Sequence, residues 1–321
     1  MIRKKENIIT MAVVIIALVF LSCWYYFAGG TPIKLKIKVV DELGNPVDKA
    51  YVGGYFDDSR KGDGAGKKFE LITNDNGACN VMGVVRLFVG VRISKKGYYD
   101  SSYRAFILRK NNEVLRNIIV VLKKITKPIA MQARKVELIF PRLEEYYPFD
   151  CDVGDWVKPY GAGITPHIYI YHLGHFKDMF TGTSILKIKT VDKNTGLQRA
   201  GFDGFSKYQS IYLAPTNNYT NLIEFITQET KTEVIKNTRL NGNQYLIFKV
   251  QNSTNSTMYN YGKIYPEIRY GKFRKSGKYE VHFMYYYNPT PDDRNLEFDP
   301  KQNLIKTVDC RGKDNSDWFK P

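Results

Sequence analysis

Histidine, tryptophan and cysteine are all scarce in this chain of 321 residues, which has four, three and four of them. Each scarcity excludes something. Zinc peptidases place two histidines and a glutamate on one helical face as His-Glu-x-x-His, and none of His167, His172, His175 and His282 stands in such a pattern. No Gly-x-Ser-x-Gly elbow is present to raise a nucleophilic serine. Cys23, Cys79, Cys151 and Cys310 have no metal-like spacing. An oxidising compartment permits one bridge, and Cys151–Cys310 is the pair expected. Beyond the first thirty residues no long stretch repeats apolar residues at helical spacing, which argues against a helical body.

Basic charge and tyrosine are abundant. The formal net charge is +16, of which Arg3, Lys4, Lys5 and Glu6 at the N-terminal end account for little. The lysines are spread along alternating segments with no finger, recognition helix or RNA-binding signature, so nucleic acid is not expected as a partner. Such charge favours solubility and attraction to anionic envelope surfaces. The 24 tyrosines suit pleated, half-buried surfaces.

The apolar run Ile8–Phe27 follows directly on the basic end. About 20 residues at 1.5 Å each just cross a hydrocarbon core, and the basic flank orients the segment with its N-terminus in the cytoplasm. Three fates remain open: a retained signal-anchor with Trp24–Phe27 as an interfacial belt, a lipoprotein modified at Cys23, and ordinary cleavage. The anchor is preferred, because the run is long for a signal peptide and no small-x-small site follows it. All three place the bulk of the chain outside the cytoplasm, in the periplasm or at the cell surface.

The body reads as strands. Ile33–Val39 alternates apolar and basic residues strictly, as a strand with one buried face does. Strands are expected at Ala50–Phe56, Phe69–Thr73, Val81–Val91, Tyr103–Leu108 and Asn117–Leu122, with turns at Asp41–Pro46, Asn74–Gly77 and Gly97–Tyr99 and a charged loop at Asp57–Lys68. After the Pro-broken joint Lys123–Ile129, further strands are expected at Val136–Phe140, His167–Tyr171, Ser184–Thr190, Ile223–Thr227, Gln244–Gln251, Ile264–Tyr270 and Tyr279–Tyr287. In the last of these, odd positions form one face and Glu280 and His282 the other. Tyr219–Lys236 is ambiguous, but its threonines favour strands over a helix. The expected class is all-β, with an N-terminal transmembrane helix and two β-sandwich domains. Its parts are residues 1–30 (basic end and signal-anchor), 31–126 and 127–321.

Val39-Val40-Asp41 with Gly44-Asn45-Pro46-Val47 and Ala50, then Thr73–Gly77, then Ile93–Tyr98, resembles the carboxypeptidase regulatory-like (transthyretin-like) domain family. Asn74 stands where that family more often has Asp. The resemblance implies a seven-stranded, immunoglobulin/transthyretin-like sandwich acting as a non-catalytic accessory domain over about residues 33–124. Segments of the second region, including Phe149–Gly161 and Tyr287–Pro300, resemble uncharacterised exported bacterial proteins in which such a domain precedes an uncharacterised β-rich one. No activity is implied by that likeness.

Few side chains suggest chemistry. Asp150, Asp152 and Asp155 lie on a Gly-bent loop and offer oxygens of the kind calcium takes, though the order is not that of an EF-hand loop; a solvated turn explains them equally well. His172 and His175, with His167 and Asp178 nearby, invite a zinc site, but residues 172 and 175 of a strand face opposite sides. Gly161-x-Gly163 lacks the following helix of a phosphate cradle. Asp292, Asp293 and Asp299 are candidates for paired acids only by being acidic. Trp156, Tyr160, Tyr169, Tyr171, Tyr285 and Tyr287 would serve as a stacking platform for a glycan or as sandwich core; the first four are the candidate ligand-binding residues. The function expected is a non-catalytic envelope protein that binds a glycan or an envelope protein through its sheet surfaces, with no cofactor. The alternative is an exported hydrolase with an acidic site in the C-terminal region. That would require at least two of Asp150, Asp152, Asp155, His172, His175 and Asp299 to converge in a pocket.

Overall fold

A computed structural model describes residues 30–57, 66–107, 114–176, 181–202, 204, 206–273, 275–305 and 319. The expected membrane segment, Cys23, Asp178, Cys310 and most of the Asp57–Lys68 loop lie outside these residues, and so does the expected Cys151–Cys310 bridge. Among the described residues there are nineteen strands and no helix long and apolar enough to cross a membrane. The fold is all-β and sandwich-like, in two compact units: 1–124 with 205–207, and 125–204 with 208–321.

In the first unit, β1 (Thr31–Val40) lies between β4 (Ala78–Val85), antiparallel, and β7 (Val114–Val121), parallel. A second sheet runs β3 (Lys67–Ile72), β2 (Tyr51–Phe56), β5 (Phe88–Ser94), β6 (Ser101–Phe106). Ile33, Leu35, Ile37 and Val39 are buried and the lysines between them point outward, as period-2 alternation requires. They meet Val52, Phe56, Val89, Val91 and Ile93 from the other sheet in one core. The expected single strand Val81–Val91 is two. The chain breaks at Arg86–Leu87, where Arg86 N–H donates to Asp57 O and Asp57 N–H donates to Phe88 O. The break transfers the chain from one sheet to the other, so an uninterrupted apolar run serves both.

The second unit has two six-stranded sheets. One is ordered β10 (Asp155–Trp156), β9 (Tyr146–Asp150), β11 (Ile168–Phe176), β12 (Gly182–Thr190), β14 (Leu222–Glu229), β15 (Val234–Asn237). The other runs β13 (Gly196–Gly201), β16 (Gln244–Gln251), β17 (Tyr259–Lys272), β18 (Tyr279–Asn288), β8 (Ile129–Ile139), β19 (Phe298–Asn303). Their facing sides share a core that includes Phe149, Trp156, Ile170, Leu186, Phe225, Phe248, Phe283 and Tyr285. The segment Tyr219–Lys236 forms strands β14 and β15.

Strand β18 departs from the expected one-sided burial. Its odd residues Val281, Phe283, Tyr285 and Tyr287 enter the core between the sheets. Its even residues are covered as well: Tyr286 packs with Ala214, Tyr245, Tyr265, Leu296 and Phe298 in a separate cluster behind the sheet. A central strand covered on both faces needs apolar or paired residues throughout. Glu280 and His282 comply by pairing with each other at 2.6 Å.

Candidate functional site

Asp150 ends β9, and its carboxylate closes the loop that follows. Oδ1 accepts the N–H groups of Asp152 (2.8 Å) and Val153 (3.3 Å), and Oδ2 accepts those of Ile164 (2.7 Å) and Thr165 (2.9 Å). Gly154 makes the intervening bend at φ +72°, with Tyr285 Oη so close that a Cβ would collide with it. Asp155 has other partners, since its Oδ1 accepts Trp156 N–H and its Oδ2 accepts Ala162 N–H. The three aspartates therefore do not converge. The group that forms is Asp150, Asp152 and His167, with one potential ligand atom from each within 4.8 Å of the others.

His167 is buried beside Asp150, with Nδ1 3.4 Å from Asp150 Oδ1. The N–H of Cys151 donates to that same Nδ1 at 3.0 Å, which leaves the ring proton on Nε2. Nε2 has no hydrogen-bond partner and faces Asp152 Oδ2 at 3.7 Å. Burial alone would raise the pKa of Asp150; the amides of Ile164 and Thr165 that donate to its carboxylate outweigh it and hold the carboxyl below the usual range.

This donor set does not suit a metal. Calcium takes six to eight oxygens, whereas both Asp150 oxygens are occupied by backbone donors and Asp155 is engaged elsewhere. Zinc or iron needs an imidazole lone pair, but one ring nitrogen of His167 accepts an amide and the other carries the proton. The arrangement closes a loop. Cys151 is buried next to it, and burial, then Asp150 and Asp152, push its thiol pKa up, away from the reactive thiolate.

The other histidines also divide. His172 is fully buried, stacked on Phe140, with Nε2 3.1 Å from Ser184 Oγ. Burial first, then Arg239, lowers its pKa to about 4. His175 is exposed, 3.7 Å from Glu144. A serine–lysine pair, not apparent from the sequence, lies behind the second sheet. Lys263 Nζ donates to Ser210 Oγ at 2.9 Å, with the rings of Tyr208, Tyr265 and Tyr286 about the ammonium. Both residues are fully buried, with no exposed face for a substrate.

The aromatic candidates separate by depth. Trp156, Tyr285 and Tyr287 are core. Trp156 packs on Phe140, Tyr147 and Phe149, and its Nε1–H donates to Ile139 O at 2.8 Å, so it offers no face to a ligand. Tyr160 is half exposed on the loop after β10, its ring edge-on to Tyr147 at 4.9 Å. Tyr169 and Tyr171 lie on the outward face of β11, because Ile168, Ile170 and His172 take the inward positions.

On that outward face the register builds two rows. Tyr169 stands between Pro148 and Lys189, and Tyr171 between Tyr146 and Lys187. The rings of Tyr146 and Tyr171 lie 5.1 Å apart. Lys189 Nζ stands 3.9 Å from the centre of the Tyr146 ring and 5.5 Å from that of Tyr169; Lys187 Nζ is 5.6 Å from Tyr171 and bonds Glu224 at 2.7 Å. The result is an open strip of half-buried tyrosines and lysines. Tyr146, Lys187 and Lys189 escape a reading of single residues, although the alternation Leu186-Lys187-Ile188-Lys189 carries the signal.

No family model matches the chain, and no curated protein matches it. Similar solved structures include 3-chlorocatechol 1,2-dioxygenase from Rhodococcus opacus, at 11% identity and a TM-score of 0.27, over 30% of this chain and 61% of that one. A protein of unknown function from Bacteroides fragilis, described as membrane-associated, is 10% identical at a TM-score of 0.22, over 81% of this chain and 99% of that one. A shaft pilin from Lactobacillus rhamnosus is 13% identical at 0.21, over 56% and 94%. The chain thus covers less than two thirds of the dioxygenase, and likenesses at these scores carry no argument about function.

Proposed function

We propose that this chain is a membrane-anchored, non-catalytic protein of the cell envelope, with Ile8–Phe27 as its anchor and its body outside the cytoplasm. In this reading the first unit is a carboxypeptidase regulatory-like sandwich, and the second binds a glycan or an envelope protein. One observation carries the proposal: the polar groups nearest to a catalytic set are sealed, while the outward face of β9, β11 and β12 presents Tyr146, Tyr169, Tyr171, Lys187 and Lys189 to solvent. Tyrosines supply contact area at small entropic cost, and lysine stems lying over them hold charge beside an apolar surface.

The hydrolase alternative draws on the proximity of Asp150 and Asp152, but neither Asp150 oxygen is open to a water or a substrate. The reading assigns no cofactor, and calcium serves as a control. Two measurements test it. Proteinase added to intact spheroplasts should remove the body and spare the basic end; a protected body contradicts the topology. A glycan array probed with the full chain in detergent micelles should show binding that Y169A/Y171A weakens, or else crosslinking from position 171 should capture one envelope protein. Turnover of an ester, peptide or glycoside panel that D150N abolishes would favour the hydrolase.

A further inference from the structure

The first unit carries a groove that no motif in the sequence announces. It lies on the outward face of β3–β2–β5–β6, encloses about 990 Å³, and is lined by residues of all four strands, among them Tyr51, Gly53, Tyr55 and Gly90. Two cross-strand rows form its floor: Glu70–Gly53–Arg92–Ser102 and Lys68–Tyr55–Gly90–Arg104. Each row has a glycine where a side chain would stand, and a tyrosine ring fills each gap. A Cβ on Gly53 would lie 2.5–2.8 Å from Oη, Cε1 and Cζ of Tyr51, and one on Gly90 would lie 3.1 Å from Cε1 of Tyr55. Several atoms of each ring thus occupy the space over a glycine.

The Tyr51 hydroxyl faces the Glu70 carboxylate, which stands opposite Gly53 on β3. The groove is also cationic: among the described residues Lys68, Arg92 and Arg104 line it against one acid, Glu70. Arg104 lies over the Phe88 ring at 4.5 Å, and Arg92, paired with Asp100 at 2.6 Å, remains two-thirds exposed. Packing of rings over glycines supports a sheet by itself. That role does not require three cations around the rings or a carboxylate facing the Tyr51 hydroxyl.

We propose that this groove binds an acidic polysaccharide, with pyranose faces stacked on Tyr51 and Tyr55 and uronate carboxylates paired with Arg92, Arg104 and Lys68. Arginine suits a planar carboxylate through its forked donors. Glu70 favours this ligand over DNA, since a carboxylate accepts hydroxyl donors, which every pyranose carries and a deoxyribose phosphate chain lacks. The site is separate from the tyrosine–lysine strip of the second unit, so the two assignments stand or fall independently.

The test uses the full chain in detergent micelles, titrated with a galacturonic acid hexamer, maltohexaose and a single-stranded dT oligonucleotide. The hexamer should bind at least tenfold more tightly than either of the others. Y51A/Y55A should weaken it at least tenfold. R92Q/R104Q should weaken it and flatten its dependence on salt. G53A, which displaces the Tyr51 ring without removing it, should weaken it in chains that still melt cooperatively. Equal binding of maltohexaose, tighter binding of the oligonucleotide, or indifference to the Tyr51 and Tyr55 variants in chains with native melting curves overturns the proposal. Binding that responds to K187Q/K189Q alone overturns the groove but leaves the envelope-binding reading in place.

Discussion

Lys189 holds its ammonium 3.9 Å from the centre of the Tyr146 ring, on the side of the sheet that the core does not use. A cation over a ring at an exposed site contributes about 0.5–1 kcal/mol, so the contact adds little to folding. Its consequence lies in recognition. K189E should leave stability within about 1 kcal/mol of wild type and weaken binding to envelope material at least tenfold. Urea melts and a binding isotherm on the same preparation check both parts, and a variant that binds normally would remove Lys189 from the surface.

Asp150 behaves in the opposite way, as a buried charge whose partners are all internal. D150A leaves the N–H groups of Ile164 and Thr165 without an acceptor and should cost about 3–5 kcal/mol in urea unfolding. Its carboxyl is depressed in the fold, so its contribution is complete above the ordinary carboxylate range and declines as pH falls below about 4. Calcium at millimolar levels should leave the melting temperature unmoved. A calcium-dependent rise that D150N or D152N abolishes would show that the donor-set argument is wrong.

His172 gives a pH dependence of the other sign of charge. It is neutral in the fold, with a pKa of about 4, while the unfolded chain takes up the proton near pH 6.5. Stability from this residue is complete above pH 6.5 and is lost as pH falls to about 4, by about 3 kcal/mol in all. H172F keeps the stack on Phe140 and should flatten the melting-temperature profile between pH 6.5 and 4. An unchanged slope would mean that other groups carry it.

Trp156 tests the division between core and surface. Burial among Phe140, Tyr147 and Phe149 predicts a loss of about 3–5 kcal/mol for W156A. Binding by the fraction that remains folded should be normal. A stable variant with weakened binding would return Trp156 to the ligand surface.

Much of the strand pattern was legible because period-2 alternation states which face is buried. Ile33–Val39 is read directly from it, whereas Gln244–Gln251, covered on both faces, is marked only by its β-branched and aromatic residues. The signal fails where both faces are covered, as at Tyr279–Asn288, and where one apolar run serves two sheets, as at Val81–Val91. It also fails for edge strands such as Asp155–Trp156, whose two residues carry no period. The sites were less legible still. Asp150, Asp152 and Asp155 look equivalent along the chain, but the partners that separate them, Thr165, Ala162 and His167, are set by loop closure. Tyr171 gains Tyr146 and Lys187 only through strand register, which a single sequence does not contain.

Whether the tyrosine–lysine strip is what holds this chain to the envelope is decided by co-sedimentation of the full chain with purified cell-envelope material, comparing wild type with Y146A/Y169A/Y171A. Wild type should be retained saturably, and the triple variant should bind at least tenfold more weakly at an unchanged melting temperature. Retention that is equal for the two, or absent for both, would contradict a binding role for that face.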